Sequence, residues 1–273
     1  MAFRIRTNVP ALFAQRQLQT TNIRLNKTLE RLSSGLRINK AADDAAGLAI
    51  SERLRTQVLG LGQADRNAQD GVSLVQIAEG GLTQISDMLQ RMRVLALQAA
   101  NGTLTSNDRT LIQVEIGELI SEVDRQVSVT KFNGKALLQT TQSFVFQVGA
   151  NKGDTIRFTV SAVSTAGMKI NNLKVTGSST LNATQAISSL DAAIDNLNSQ
   201  RGRIGAIQNR LENAITFIGI SIENMTAAES RIRDTDIAQD VVNFTRDQIL
   251  AQTGTSMLAQ ANLQPQLALS LLQ

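Results

Sequence analysis

Both ends of the chain carry a heptad-like pattern of apolar residues that recur in steps of three and four. We call the following set the terminal seam: Leu18, Leu25, Leu29, Leu32 and Leu36 near the N-terminus, and Ile237, Val241, Phe244, Ala251, Leu258, Leu269 and Leu272 near the C-terminus. This spacing predicts that each end forms a helix with one apolar stripe. Since a lone helix cannot bury such a stripe, we expect the two ends to pair and other copies of the chain to cover the apolar surface that remains.

The pattern between the ends predicts further helices. The first terminal helix should break at Ser33-Ser34-Gly35, and the Ala/Gly-rich segment 41–61 resembles a hinge-like connector with some helix. Apolar residues at helical spacing over 75–99 predict a strong helix that stops at Asn101-Gly102. After a polar loop, Asp108 is in a position to cap another helix.

Segment 143–176 has a different period. Apolar residues alternate at Phe144, Phe146 and Val148, and again at Ile156, Phe158 and Val160, on either side of a Gly-rich turn. This pattern predicts a β-hairpin, the only β-structure that we expect. Helical period then holds from 183 to 232, which corresponds to one helix of about 75 Å at about 1.5 Å per residue. The predicted fold is mainly α: a long helical bundle or coiled coil with paired N- and C-terminal helices, plus a small β-hairpin region.

Composition narrows the range of functions. The chain has no Cys, His, Trp or Tyr, so the usual metal ligands, the neutral-pH proton carrier and the thiol nucleophile are missing. We therefore expect no enzyme activity, no cofactor and no metal site. The net charge is +4, but basic and acidic residues are interspersed, as in 27–31, so we expect no nucleic-acid partner. No apolar run approaches the ~18 residues of a membrane span, which argues against membrane insertion.

Two acidic clusters resemble catalytic or cation sites. We interpret Asp43-Asp44 with Glu52 as helix and connector surface, because nothing in the pattern builds a pocket that would give paired carboxylates different environments. We interpret Asp234-Thr235-Asp236 as the cap of the C-terminal helix. The start of the chain has no cleavable secretory signal, and the residues alone would therefore place the protein in the cytoplasm.

Several collinear motifs resemble one family closely. They are LERLSSGLRIN at 29–39, AADDAAGLAI at 41–50, ADRNAQDG at 64–71, GAIQNRL at 205–211 and SMLAQAN at 256–262. They are spread along most of the chain, from 29 to 262, and they resemble bacterial flagellin, the subunit of the flagellar filament. Many flagellins carry large outer domains in the middle, where this chain has only the hairpin region.

The resemblance implies a structural protein that is exported unfolded and self-assembles into the helical filament used for motility. It replaces the cytoplasmic prediction with a secreted, extracellular location. It implies a coiled-coil inner domain over 1–42 and 235–273, a helical rod domain with the hairpin over 43–234, and no outer domains. The implied partners are other copies of the chain, the flagellar export apparatus, an export chaperone, and the filament cap and junction proteins.

The resemblance also implies a contact with a host. Arg91, Leu95 and Glu115 match the flagellin positions that are read by a vertebrate Toll-like receptor. The alternative is that this helix face only packs against a neighbouring subunit. Two other functions stay open: a hook–filament junction protein, against which the unbroken 256–262 motif argues, and a secreted helical effector, for which no hydrophobic hairpin is present.

Overall fold

The computed structural model describes residues 7–177 and 180–270, with the side chains of the last helix described as far as residue 263. The described helices are α1 Val9–Ser34, α2 Ala45–Ala99, α3 Ser106–Val129, α4 Leu181–Arg233 and α5 Ile237–Ser270. The strands are β1 Lys131–Phe132, β2 Lys135–Ala136, β3 Gln142–Gln147 and β4 Thr155–Val160. This architecture confirms the mainly α fold with a small hairpin region, and α4 confirms the long unbroken helix.

Helix α1 has clear start and stop signals. The side chain of Asn8 accepts a hydrogen bond from the Ala11 N–H at 3.1 Å, and Pro10 lies in the first turn, where a missing N–H costs nothing. Gly35 ends the helix in the left-handed conformation, with φ of 72°, and its N–H donates to the Arg31 carbonyl at 2.8 Å. The helix thus ends at the last residue of the predicted break Ser33-Ser34-Gly35, and glycine is the residue that takes this conformation without strain.

The connector predicted over 41–61 is wrong for most of its length. Helix α2 already begins at Ala45, so only 35–44 stays outside a helix. The side chain of Asp44 accepts a hydrogen bond from the Gly47 N–H at 2.8 Å and satisfies one of the free amides of the first turn. The alanines that follow have high helix propensity, and this outweighs the glycine that suggested a hinge. At its other end α2 stops just before Asn101-Gly102, as predicted.

Helix α3 is capped by Thr105 rather than by Asp108. The Thr105 hydroxyl accepts from the Asp108 N–H at 3.3 Å, while the Asp108 carboxylate accepts from the Thr105 N–H at 2.9 Å. The Thr105 hydroxyl also donates to this carboxylate, and it keeps the pKa of Asp108 below its ordinary value. Asp108 therefore closes a capping box from the third helical position, three residues later than the cap itself.

Two antiparallel hairpins follow α3. The predicted hairpin is confirmed as β3 and β4, whose register places Phe144 opposite Phe158 and buries alternate residues of β4. A second hairpin, β1 with β2, was not predicted because its strands are two residues long. Its turn is Asn133-Gly134, both with positive φ, which is the usual chemistry of a two-residue hairpin loop.

Contacts divide the chain into two compact units. The first unit contains the residues up to Gln57 and those from Glu223 onward, and the second contains Val58–Ile222. The second unit holds a continuous apolar core formed by α2, α3, α4 and the hairpin, whose fully buried side chains include Leu82, Ile85, Leu89, Met92, Ile116, Phe158 and Leu190. The domain division predicted from the resemblance remains a prediction.

A buried arginine that binds three backbone carbonyls completes the second unit. Arg109 of α3 is 3% exposed, and its guanidinium donates to the carbonyls of Ala99 at 3.0 Å, Asn101 at 3.2 Å and Gly177 at 2.9 Å. The first two carbonyls belong to the C-terminal end of α2 and the loop after it, where the helix dipole is negative. Arg109 thus closes the end of α2 and fixes the segment before α4.

Candidate functional site

The two ends of the chain form one antiparallel helix pair, as predicted. Near the start of α1, the Asn8 side-chain amide donates to the Ala261 carbonyl at 2.8 Å. Halfway along the pair, Arg24 of α1 forms an ion pair with Asp247 of α5 at 3.4 Å. These two contacts, one near the start of α1 and one at its middle, show that α1 and α5 run side by side.

Backbone hydrogen bonds hold the far end of this pair. The segment after α1 crosses the segment before α5 in an isolated bridge between Leu36 and Asp234. The Arg37 N–H donates to the Arg233 carbonyl at 2.6 Å, and the Thr235 N–H donates to the Gly35 carbonyl at 3.0 Å. These bonds fix the register between the two terminal helices.

Polar residues occupy the most buried positions between the two helices. Thr21 and Thr28 are 2% and 9% exposed, and Asp240 and Asp247 are both 7% exposed. The threonine hydroxyls donate to carbonyls one turn earlier in α1, so burial leaves them satisfied. The Asp240 carboxylate accepts from the Thr235 hydroxyl at 2.5 Å. A search for apolar periodicity could not find these four positions, because none of them is apolar.

The structure separates the terminal seam into three groups. The half-buried members are Leu18, Leu25, Leu32, Leu36, Phe244, Ala251 and Leu258. The exposed members are Leu29 at 51%, Ile237 at 50% and Val241 at 46%. The side chain of Leu269, and Leu272 as a whole, lie outside the described residues.

The helix pair is incompletely covered in a single chain. Among the described side chains of α1 and α5, no apolar one is fully buried. Further large apolar side chains are exposed on the same two helices: Val9, Leu12, Phe13, Ile23, Val242, Ile249, Leu250, Met257 and Leu263. An exposed apolar surface of this extent marks an interaction surface. We call the described surface of α1 and α5 the candidate assembly surface.

The predicted receptor patch is only partly brought together. Arg91 and Glu115 form an ion pair at 2.6 Å, with both side chains about half exposed. Leu95 is only 2% exposed and belongs to the core of the second unit. Its neighbours Val94 and Leu97 are exposed instead, at 54% and 47%. Of the three predicted residues, Arg91 and Glu115 are therefore open to a partner, and Leu95 is not.

The acidic clusters each have a local structural role. Asp43 accepts from Lys27 at 2.7 Å, and this contact, with help from the N–H groups of Lys40 and Asn39, lowers the pKa of the Asp43 carboxyl to about 2. Glu52 pairs with Arg233 at 2.7 Å.

The other acidic cluster forms a cap. Asp236 accepts from the Gln239 N–H at 3.2 Å at the start of α5. Within the described part of the chain, no group of acidic side chains is arranged to hold a metal ion. In the same residues, no helix combines the length and hydrophobicity that a membrane crossing requires.

Family models and curated relatives identify the family of this chain. The family described as "Bacterial flagellin N-terminal helical region" matches residues 5–143, and "Bacterial flagellin C-terminal helical region" matches residues 187–272. The chain is 45% identical to the "Flagellar filament 33 kDa core protein" of Treponema phagedenis over 98% of this chain and 99% of that protein. It is 43% identical to the flagellin of Bacillus subtilis over 99% of this chain and all of that protein.

A solved structure supports the same assignment. The crystal structure of Bacillus cereus flagellin is 34% identical to this chain and has a TM-score of 0.50, covering 60% of this chain and 94% of the other. The two regions that match the flagellin family contain the whole of α1, α2, α3 and α5 and most of α4, and thus the helices that form the candidate assembly surface. The chain is a member of the bacterial flagellin family.

Proposed function

We propose that this chain is a structural subunit that self-assembles into the helical flagellar filament used for motility. The proposal rests mainly on the incomplete burial of the candidate assembly surface. Helices α1 and α5 pair, but none of their described apolar side chains is fully buried. Such a pair gains little from the hydrophobic effect in one chain and much more when copies cover it. The exposed seam residues Leu29, Ile237 and Val241 are the first contacts that we assign to a neighbouring copy.

We assign the two predicted domains to different parts of this polymer. Residues 1–42 and 235–273 form the coiled-coil inner domain, where the terminal seam packs among copies. Residues 43–234 form the helical rod domain, and its own apolar core supports this role because it needs no partner to be complete. The chain has no outer domains, in keeping with relatives that it matches over nearly their full length.

Export in an unfolded state through the flagellar export apparatus follows from this function. The chain has no Cys, so no disulfide would obstruct threading through a narrow channel. An export chaperone would cover the apolar stripes of α1 and α5 before assembly, and the filament cap and junction proteins would meet them afterwards. The mature location is then the extracellular filament.

Other functions have weaker support. A hook–filament junction protein would share the paired terminal helices. However, the two relatives named above, a flagellin and a filament core protein, match this chain over nearly its full length. A secreted helical effector has no feature in its favour. We propose no enzyme activity, because the acidic residues that resembled a catalytic pair are engaged as caps and ion pairs.

Recognition by a vertebrate Toll-like receptor is a separate proposal. The exposed Arg91–Glu115 pair supports it, since both side chains are open to a partner. Leu95, which is buried, would then not contact the receptor but would hold the exposed face of α2 in place.

Seeded polymerisation tests the proposed function. Purified full-length chain is added to short filament seeds, and the product is followed by sedimentation and electron microscopy, with a variant that lacks 235–273 as the matched control. We expect helical filaments from the full chain and none from the truncated variant, while circular dichroism shows that the variant is still helical. Filaments of normal stability from the truncated variant would contradict the proposal.

A further inference from the structure

A groove between α1 and α5 in the first unit combines positive charge with partial burial. Its volume is about 340 Å³. Its charged lining consists of four cations and two carboxylates: Arg24, Lys27, Arg31 and Arg246, with Asp240 and Asp247. The first three cations share one stripe of α1, three and four residues apart, and they face the polar stripe of α5.

The cations of the groove are not all neutralised. Arg24 is paired with Asp247 at 3.4 Å, and Lys27 with Asp43, which lies outside the groove, at 2.7 Å. Within the described residues, neither Arg31 nor Arg246 has a carboxylate within ion-pair distance. Asp240 is the remaining acid, so two guanidinium groups face one carboxylate that already accepts from Thr235. The groove therefore has an excess of positive charge.

Arg31 also has an unsatisfied donor. Its Nε is buried and has no hydrogen-bond partner among the described residues. A buried N–H without an acceptor has lost its hydrogen bond to water and gained none in return, so such a group normally has a partner. Arginine presents its N–H groups as a planar fork that fits the oxygens of a carboxylate or phosphate. In the described part of the chain, Arg31 therefore lacks an acceptor for this N–H, and an oxygen with negative charge is the group that a guanidinium binds most strongly.

We propose that this groove is an oxyanion site that binds phosphate. Arg31 and Arg246 supply two guanidinium forks, and the Asn243 amide, which also lines the groove, supplies a neutral donor. Together they offer more donors than the two oxygens of one carboxylate accept, whereas a tetrahedral phosphate has oxygens for all of them. Its negative charge at neutral pH also suits a groove with surplus cations. Bound phosphate would link the two terminal helices.

The phosphate proposal rests on the proposed function, because its test uses filaments and therefore needs a chain that polymerises. Filaments are incubated with radiolabelled inorganic phosphate in chloride buffer at constant ionic strength and then pelleted. We expect saturable uptake in proportion to the amount of subunit. A failure to polymerise would be seen before phosphate is added, so it is distinguished from a failure of the site.

Arginine variants locate the site. Arg31→Gln and Arg246→Gln should each weaken phosphate uptake by about tenfold or more, since each removes charge-assisted hydrogen bonds. Arg231→Gln, which alters an exposed arginine of the same unit outside the groove, should leave uptake unchanged. If Arg31→Gln does not polymerise, Arg31→Lys keeps the charge but removes the fork and should still weaken uptake.

Two results would overturn the proposal. One is equal uptake by wild type, Arg31→Gln and Arg246→Gln, which would mean that phosphate binds elsewhere. The other is no saturable uptake by wild-type filaments. In that case a carboxylate of a neighbouring copy, or water, satisfies Arg31, and the groove is not a phosphate site.

Discussion

Gly254 of α5 lies directly against Leu18 of α1, so that a Cβ built at position 254 would be 3.2 Å from Leu18 Cγ. This is closer than an ordinary van der Waals contact, and the glycine lets the two helices approach at this point. The half-buried Leu18 belongs to the terminal seam, so the contact links helix pairing to the candidate assembly surface.

Gly254→Val should therefore weaken filaments. The branched side chain would push Leu18 aside or separate α1 from α5, and overpacking of this kind costs about 1–3 kcal/mol in each subunit. The temperature of filament dissociation, followed by light scattering, should fall. Gly254→Ala is the matched control: its smaller side chain needs a smaller shift, and its helix propensity, higher by about 1 kcal/mol, offsets the contact. Filaments of Gly254→Val that dissociate at the wild-type temperature would refute the close-contact argument.

Acid should weaken the first unit through Asp43. Its pKa is lowered to about 2, chiefly by Lys27, so the ionised carboxylate favours the folded state. The stabilisation is fully present above the unfolded pKa of about 3.9 and is lost as pH falls through about 2. Wild-type filaments should be more stable than Asp43→Asn filaments at pH 6, and the difference should shrink as pH falls through this range, as measured by dissociation at each pH. In a Lys27→Gln background, Asp43→Asn should reduce filament stability by less than it does in the wild type at pH 6. An equal reduction would rule out the ion pair with Lys27 as the main cause of the stabilisation.

The second unit should depend on Arg109. Arg109→Ala leaves three carbonyls without their donor, and we expect a loss of about 2–3 kcal/mol in the free energy of unfolding of the full chain. Arg157→Ala, at an exposed position of β4, should cost less than about 0.5 kcal/mol. Urea unfolding followed by circular dichroism measures both. Equal effects of the two substitutions would show that Arg109 does not close the end of α2.

The receptor proposal predicts that Leu95 matters for stability and Arg91 for receptor signalling. Leu95→Ala should cost about 2–5 kcal/mol of stability because it empties part of the core. Arg91→Ala should cost under about 1 kcal/mol, as the ion pair is exposed, but it should reduce Toll-like receptor signalling by the monomer. Thermal unfolding and a receptor reporter assay are needed together. Normal signalling by Arg91→Ala, combined with impaired polymerisation, would assign Arg91 to subunit packing.

Sequence reasoning succeeded where one physical signal dominated. The helical period over 183–232 is unbroken, and α4 covers it, while alternation at Phe144 to Phe146 and Ile156 to Val160 identified β3 and β4. Sequence reasoning failed at the start of α2. There a glycine within an alanine-rich segment suggested a hinge, because the helix cap that Asp44 provides was not considered.

The candidate assembly surface shows a different limit. Apolar spacing located both terminal helices but not the stripe along which they pair, because Thr21, Thr28, Asp240 and Asp247 occupy its most buried positions. Their burial depends on hydrogen bonds and ion pairs that an apolar pattern does not encode. Leu95 shows the same limit in the second unit: α2 packs against several elements at once, so its buried face is wider than one seam.

Hydrogen exchange on the monomer and on the assembled filament tests most directly whether copies of the chain complete the surface of α1 and α5. We predict fast exchange over 9–34 and 237–263 in the monomer, because the helix pair lacks a fully buried apolar side chain among its described residues, and strong protection of both segments in the filament. The core of the second unit, around Leu89, should be protected in both states and serves as the internal reference. Protection of α1 and α5 that is equal in monomer and filament would contradict the account.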